Sequence, residues 1–180
     1  MKKLALGLLL SVLASLQPAR AQTTTPVGYS ERVPDEGVSK SILYRRAYDW
    51  AENHFIYTPK SIIQADTTKG EVRIQGSGKV KTASPSGQLQ ERPVQFEFVF
   101  HTLPNGYDYR VGSFRLIPDP SKPDETIGFD EFVAQLATER SNARTHNDRR
   151  VTAQATSLAS EVALSFHSYM NSRPAEGAVE

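Results

Sequence analysis

Four histidines, His54, His101, His146 and His167, are the side chains best suited to move a proton near neutral pH. A general base also needs company, either a hydroxyl to deprotonate or a carboxylate to orient its ring. His101 has Glu97 on the same face of an alternating segment, and His146 has Asp148 two residues on. No histidine stands with a second histidine or a carboxylate at a spacing typical of metal sites. Each therefore reads first as a solvated or structural residue. With no cysteine in the chain, thiolate nucleophiles, thiolate metal sites and disulfides are all excluded. No G-x-S-x-G elbow occurs. Gly76-Ser77-Gly78-Lys79 imitates part of a phosphate loop, but the first glycine is missing and Val80 stands where a hydroxyl would meet magnesium. The carboxylate pairs Asp66 with Glu71 and Asp124 with Glu125 fall at turns or linkers, where acids are expected anyway. Arg144, Arg149 and Arg150, with Arg140 a turn earlier, make one basic cluster. It reads as a solvated face at a helix start or as a contact for an anionic partner. The expected inventory is thus no catalytic, cofactor or metal residue, and a partner contact at Arg144, Arg149 and Arg150.

The elements that must position these residues begin after an export signal. Met1-Lys2-Lys3 is a basic start, Leu4 to Leu16 is weakly polar to apolar, and Pro18 precedes Ala19-Arg20-Ala21. That layout predicts a signal peptide over 1–21, cleaved between Ala21 and Gln22. Its apolar run is shorter than the roughly 20 residues that span a bilayer. No cysteine follows the cleavage site, so no lipid anchor is expected there, and the product is periplasmic or secreted. Lys2, Lys3 and Arg20 leave with the leader, so 21 basic residues become 18 against 20 acidic ones and the formal charge moves from +1 to −2. A nucleic-acid binder is expected to carry a basic excess, so nucleic acid is not an expected partner. Nor is the product an integral membrane protein.

Residues 22–28 read as a flexible lead-in, followed by a short strand at 29–33. Ser39 caps a helix over 39–54, with Val38 stapling onto Leu43 and with Leu43, Ala47, Trp50 and Ala51 at helical spacing. Residues 61–65 and 71–75 form a hairpin. Gly76 and Gly78 mark a bend or a close backbone approach in its second strand. Residues 82–92 are polar, hold Pro85 and Gly87, and read as a loop. From 93 to 102, Val94, Phe96, Phe98 and Phe100 alternate with polar neighbours. Asn105-Gly106 then signals a tight turn. The return strand shows Tyr107, Tyr109, Val111, Phe114 and Leu116, whose step of three at Gly112-Ser113 requires a β-bulge. Centring the turn on Asn105-Gly106 places Phe100 opposite Val111, Phe98 opposite Phe114, His101 opposite Arg110 and Glu97 opposite Arg115. Residues 118–128 make a proline-rich linker. Helices are expected at about 129–140 and 149–172 in a helical extension over 129–172, and 173–180 are a disordered tail. Trp50 and the three phenylalanines could line a pocket but read as core.

The fold class is therefore α+β: one antiparallel curved sheet in the order β-α-β-β-β-β, followed by C-terminal helices packed on one face. At Val38-Ser39-Lys40, Leu43-Tyr44-Arg45-Arg46-Ala47, Trp50, Ile62-Ile63, Asp66 and Gly70 through Gly78, the chain resembles the bacterial domain-of-unknown-function 4468 family. The resemblance runs roughly from Tyr29 to Leu116. It implies a TBP-like fold over 29–117 and export, and it brings no assigned activity, cofactor or catalytic residue. DNA binding does not follow from the fold name. The expected function is a non-catalytic exported domain that binds a partner protein, peptide or small ligand of the cell envelope. Two rivals stand beside it. One is a periplasmic hydrolase with His101 or His146 as base. The other is a structural module, with the stripe Val151, Ala155, Leu158, Ala159, Val162, Phe166, Tyr169 and Met170 pairing two copies as a homodimer.

Overall fold

Alternation of apolar and polar residues decides the sheet. The computed structural model describes residues 26–172. The leader, its cleavage site at Ala21 and Gln22, most of the 22–28 lead-in and the 173–180 tail lie outside the described residues. Strands β1 (Tyr29–Pro34), β2 (Ser61–Asp66), β3 (Glu71–Ala83), β4 (Leu89–Leu103) and β5 (Gly106–Leu116) form an antiparallel sheet in the order β1-β5-β4-β3-β2. A two-residue strand, β6 (Ile127–Gly128), joins the far end of β5 from within the segment read as linker. One face carries Val72, Ile74 and Val80 from β3, Val94, Phe96, Phe98 and Phe100 from β4, and Tyr107, Tyr109, Val111, Phe114 and Leu116 from β5, all buried. Helices cover that face alone: α1 (Lys40–Asp49), α2 (Phe129–Thr138), the short α3 (Asn142–Thr145) and α4 (Asn147–Asn171).

Ser39 caps α1 by accepting from the Ile42 amide at 3.4 Å. The helix continues through a widened turn, Trp50–His54, in which the Phe55 amide donates five residues back to Trp50 at 2.9 Å. Trp50 and Phe55 then meet edge to face over the sheet. Gly76 and Gly78 are the close approaches that the sequence implies. A Cβ on Gly76 would lie 2.6 Å from the Phe55 ring, and one on Gly78 would lie 2.3 Å from Leu158 of α4. Phe166 of α4 sits at the centre of the core, with its ring 4.8–6.0 Å from those of Trp50, Phe98, Phe100, Tyr107 and Tyr109.

The structure corrects two sequence expectations. First, 82–92 is not a loop: β3 and β4 stay paired out to Ala83 and Leu89, leaving only five residues, 84–88, for the turn. Val80 and Thr82 are buried on one side of this ribbon, and Lys79 pairs with Glu91 at 2.6 Å on the other. Its outer edge is closed by side chains of α4. The Asn147 amide accepts from Ala83 N at 2.7 Å and donates to Ala83 O at 2.9 Å, and Gln154 does the same for Lys81 at 2.9 Å each. Second, the β4–β5 register is displaced by two residues. Leu103 pairs with Gly106, so Pro104-Asn105 is the turn, Phe100 faces Tyr109, Phe98 faces Val111, His101 faces Asp108 and Glu97 faces Gly112. Proline suits a turn position because its φ is preset and it has no N–H to give. The bulge itself falls where the sequence places it, with Ser113 at φ 53°.

Candidate functional site

Among the described residues the helices lie on one side only and leave the other side of the sheet uncovered, and register sets its residues in rows. Asp66, Glu71, His101, Asp108 and Arg32 stand abreast across five strands. The next row is Gln64, Arg73, Val99, Arg110 and Ser30, and the third holds Ser61, Gln75, Glu97 and Gly112. His101 is held between two carboxylates, with Nε2 3.0 Å from Glu71 and Nδ1 3.1 Å from Asp108. Arg73 reaches Glu71 at 3.2 Å and Glu97 at 3.6 Å. Val99 is 1% exposed despite facing this side, because it lies in register between Arg73 and Arg110, whose long stems shield it. Arg32 and Arg110 make no ion pair or side-chain hydrogen bond among the described residues. Together with Arg73, His101 and Asp108 they line an open depression of about 530 Å³.

The electrostatics suit recognition better than proton transfer. Partial burial pushes the Glu71 carboxyl up, but the Arg73 hydrogen bond and the neighbouring His101 outweigh it and hold the group below the ordinary glutamate value. Each nitrogen of the His101 ring faces a carboxylate, so neither is directed at a hydroxyl. Those carboxylates approach opposite ring nitrogens, so the three groups do not converge on one point. No hydroxyl among the described residues is hydrogen-bonded to His101.

The other residues singled out from sequence are dispersed. Glu97 partners Arg73, not His101. His146 is exposed between α3 and α4 at φ 50°, and its ring makes no hydrogen bond among the described residues. Arg140 follows α2, Arg144 is on α3, and Arg149 and Arg150 are in the first turn of α4. All four are exposed, and none forms an ion pair among the described residues. Gly76-Ser77-Gly78-Lys79 is extended strand. The Asp66 carboxylate accepts from the Thr68 and Lys69 amides, and Glu125 pairs with Lys122 on the linker. The apolar stripe from which a homodimer was expected is spent within the chain: Val151, Ala155, Ala159, Val162 and Phe166 are at most 1% exposed against their own sheet. The Glu71–His101–Asp108 clamp escaped the sequence reading. Its signal was Pro104, which moves the turn by one residue at each side and brings Asp108 opposite His101.

A curved antiparallel sheet roofed on one face by helices is the TBP-like arrangement, and two solved structures share it with this chain. A TBP-like protein from Parabacteroides distasonis is 17% identical with a TM-score of 0.54, over 82% of this chain and 94% of that one. A DUF4468 family protein from Bacteroides ovatus is 18% identical with a TM-score of 0.51, over 82% of this chain and 89% of that one. At these identities the likeness is one of fold. Residues 29–116 match the model of the family described as a domain of unknown function (DUF4468) with TBP-like fold, and the resemblance read from α1 and the first hairpin holds there. No curated protein matches the chain. No helix among the described residues is long and apolar enough to cross a membrane.

Proposed function

We propose that this chain is an exported, non-catalytic binding domain whose uncovered sheet face receives a protein or peptide partner of the cell envelope. One observation carries the reading: two guanidiniums, Arg32 and Arg110, without an ion pair among the described residues, stand on the Asp108 side of a histidine held between carboxylates, on a face that no described helix covers. Guanidinium groups recognise carboxylates through paired, charge-assisted hydrogen bonds, so the partner is one that presents acidic side chains. Export rests on the basic start, the apolar run and the Ala19-Arg20-Ala21 site. The exposed arginines Arg144, Arg149 and Arg150 form a second contact on the same partner or on an anionic surface.

Photo-cross-linking residues placed at Gln75 or Glu97, and in controls at Leu164 or Ser168 on the outside of α4, test this in the producing cells. The expected result is a common covalent adduct from the sheet positions, lost in an R32E/R110E background and absent from the α4 controls. Adducts from α4 alone, or from neither side, would refute the reading. The mass of the recovered protein checks export separately, since it should begin at Gln22.

A further inference from the structure

We propose that the acidic partner binds by adding a strand to the sheet beside β1, an inference that rests on the reading just given and names the form of its partner. β1 ends the sheet, and register decides which of its main-chain groups are free. In an antiparallel ladder, residues that bond one neighbour alternate with residues that turn away from it. Leu103 faces Gly106 across the two-residue turn, so Gly106, Asp108 and Arg110 bond β4 while Tyr107, Tyr109 and Val111 turn to β1. The Asp35 amide, donating to Asn105 O at 3.1 Å just past the last β1–β5 pair, keeps the same phase. Val33, Glu31 and Tyr29 are thereby used. The N–H and C=O groups of Ser30 and Arg32 point off the sheet, and no loop or side chain among the described residues bonds them. Such a row is a template for an extended chain. The opposite edge, β2, is less regular, with a register shift between Ile62 and Gln64.

Charge selects which chain fits. Ser30, Arg32 and Arg110 line one depression on the uncovered face, and Ser30 lies opposite Arg110. Serine is short, so the Arg110 guanidinium has a path over it toward the edge. A carboxylate on the added strand would be a direct cross-strand neighbour of Arg32 and within reach of Arg110. On the helix side β1 turns Tyr29, Glu31 and Val33, and Glu31 already accepts from the Tyr29 and Tyr109 hydroxyls. An acid there would meet Glu31, whereas an apolar side chain would cover the exposed Tyr29 ring and the half-buried Val33. The occupant is therefore an extended segment in which acidic residues alternate with apolar ones. A second copy does not fit: pairing β1 with β1 about Glu31 would set Arg32 opposite Ser30 and gather four guanidiniums on one face.

The probe is a short, acetylated and amidated peptide in which glutamate alternates with valine, titrated into the purified protein and followed by amide hydrogen exchange. Saturable binding should slow exchange at Ser30 and Arg32 by about tenfold or more. R32E/R110E, whose substituted side chains are exposed, should raise the Kd about tenfold, and a peptide with lysine for glutamate should not bind. Two further peptides keep the charge and carry N-methyl groups, one at the glutamates and one at the valines. Only one row of peptide N–H groups faces β1, so one of the two should fail. Failure of the glutamate-methylated peptide assigns an antiparallel strand, and failure of the valine-methylated one a parallel strand. Equal affinity of the two, absence of binding by the parent peptide, or binding that leaves Ser30 and Arg32 unprotected would overturn strand addition. Cross-linked adducts at Gln75 and Glu97 alongside any of those results would leave the partner face standing, and loss of the adducts as well would remove both.

Discussion

Carboxylates held in place by paired neighbours set how this protein responds to acid. The Tyr109 hydroxyl, 2.5 Å from Glu31, is the main reason that carboxyl sits below its ordinary value of 4.5, and Tyr29 adds a second bond at 3.0 Å. Glu71 is displaced the same way, once Arg73 and His101 overcome the upward push of burial. A group depressed in the folded state contributes stability that is complete above its unfolded value and lost as pH falls through its folded one. The midpoint of urea unfolding should therefore be level above about pH 5 and decline below 4.5, and E71Q should decline less steeply. An E71Q profile parallel to the parent's would mean that the clamp contributes nothing to acid stability. In the core, one ring dominates. Phe166 meets five aromatic neighbours and is fully buried, so F166A should cost about 3–5 kcal/mol in the same unfolding assay.

At the level of elements, much of the fold was legible because one apolar face repeats every second residue in a strand and every third or fourth in a helix. The phenylalanine strand, α1, the bulge at Gly112-Ser113 and α4 all follow from that rule. The outer half of the β3–β4 ribbon was not legible, since its buried residues are Val80 and a threonine and the rest is polar. What holds it is distant in sequence: the amides of Asn147 and Gln154 satisfy backbone groups of Ala83 and Lys81 on an edge that β2 does not reach. N147A should therefore cost about 1–3 kcal/mol and expose the Ala83 amide to hydrogen exchange, while Lys81 stays protected through Gln154. Equal loss of protection at both would show that α4 does not act as two separate clasps. The displaced register has a comparable origin. Gly106 adopts φ 136°, and a Cβ there would lie 2.1 Å from Val33 O on β1, so contact with a third strand helps fix where the β4–β5 hairpin turns. Within the hairpin itself the local sign is Pro104, whose preset φ suits the turn, and the β1 contact is not visible from the two strands alone. The clamp on His101 was hidden for the same reason, because it exists only in the register that this contact selects. G106A is expected to destabilise by about 2 kcal/mol or more and to weaken protection along β1 first.

For the whole molecule, the match to the family model ends at residue 116, yet the physical unit does not. The face of Phe98, Phe100, Tyr107 and Tyr109 is closed by Phe166, and Val151, Leu158, Val162 and Met170 extend the same contact along α4. Five buried side chains of this size contribute about 1.5–3 kcal/mol each. Their sum is comparable to the roughly 5–15 kcal/mol that separates a folded domain from its unfolded chain. A truncation after Gly128 would keep every strand but leave the aromatic face bare, so removal of α2 to α4 should abolish the fold itself. The expected product retains some secondary structure, binds a hydrophobic dye and shows no cooperative thermal transition. Adding residues 129–172 as a separate chain should restore the transition at a temperature that rises with peptide concentration, as linkage requires. If the truncated chain instead melts cooperatively without the peptide, α2 to α4 are an appendage, and the sheet's aromatic face becomes an open binding surface in its own right.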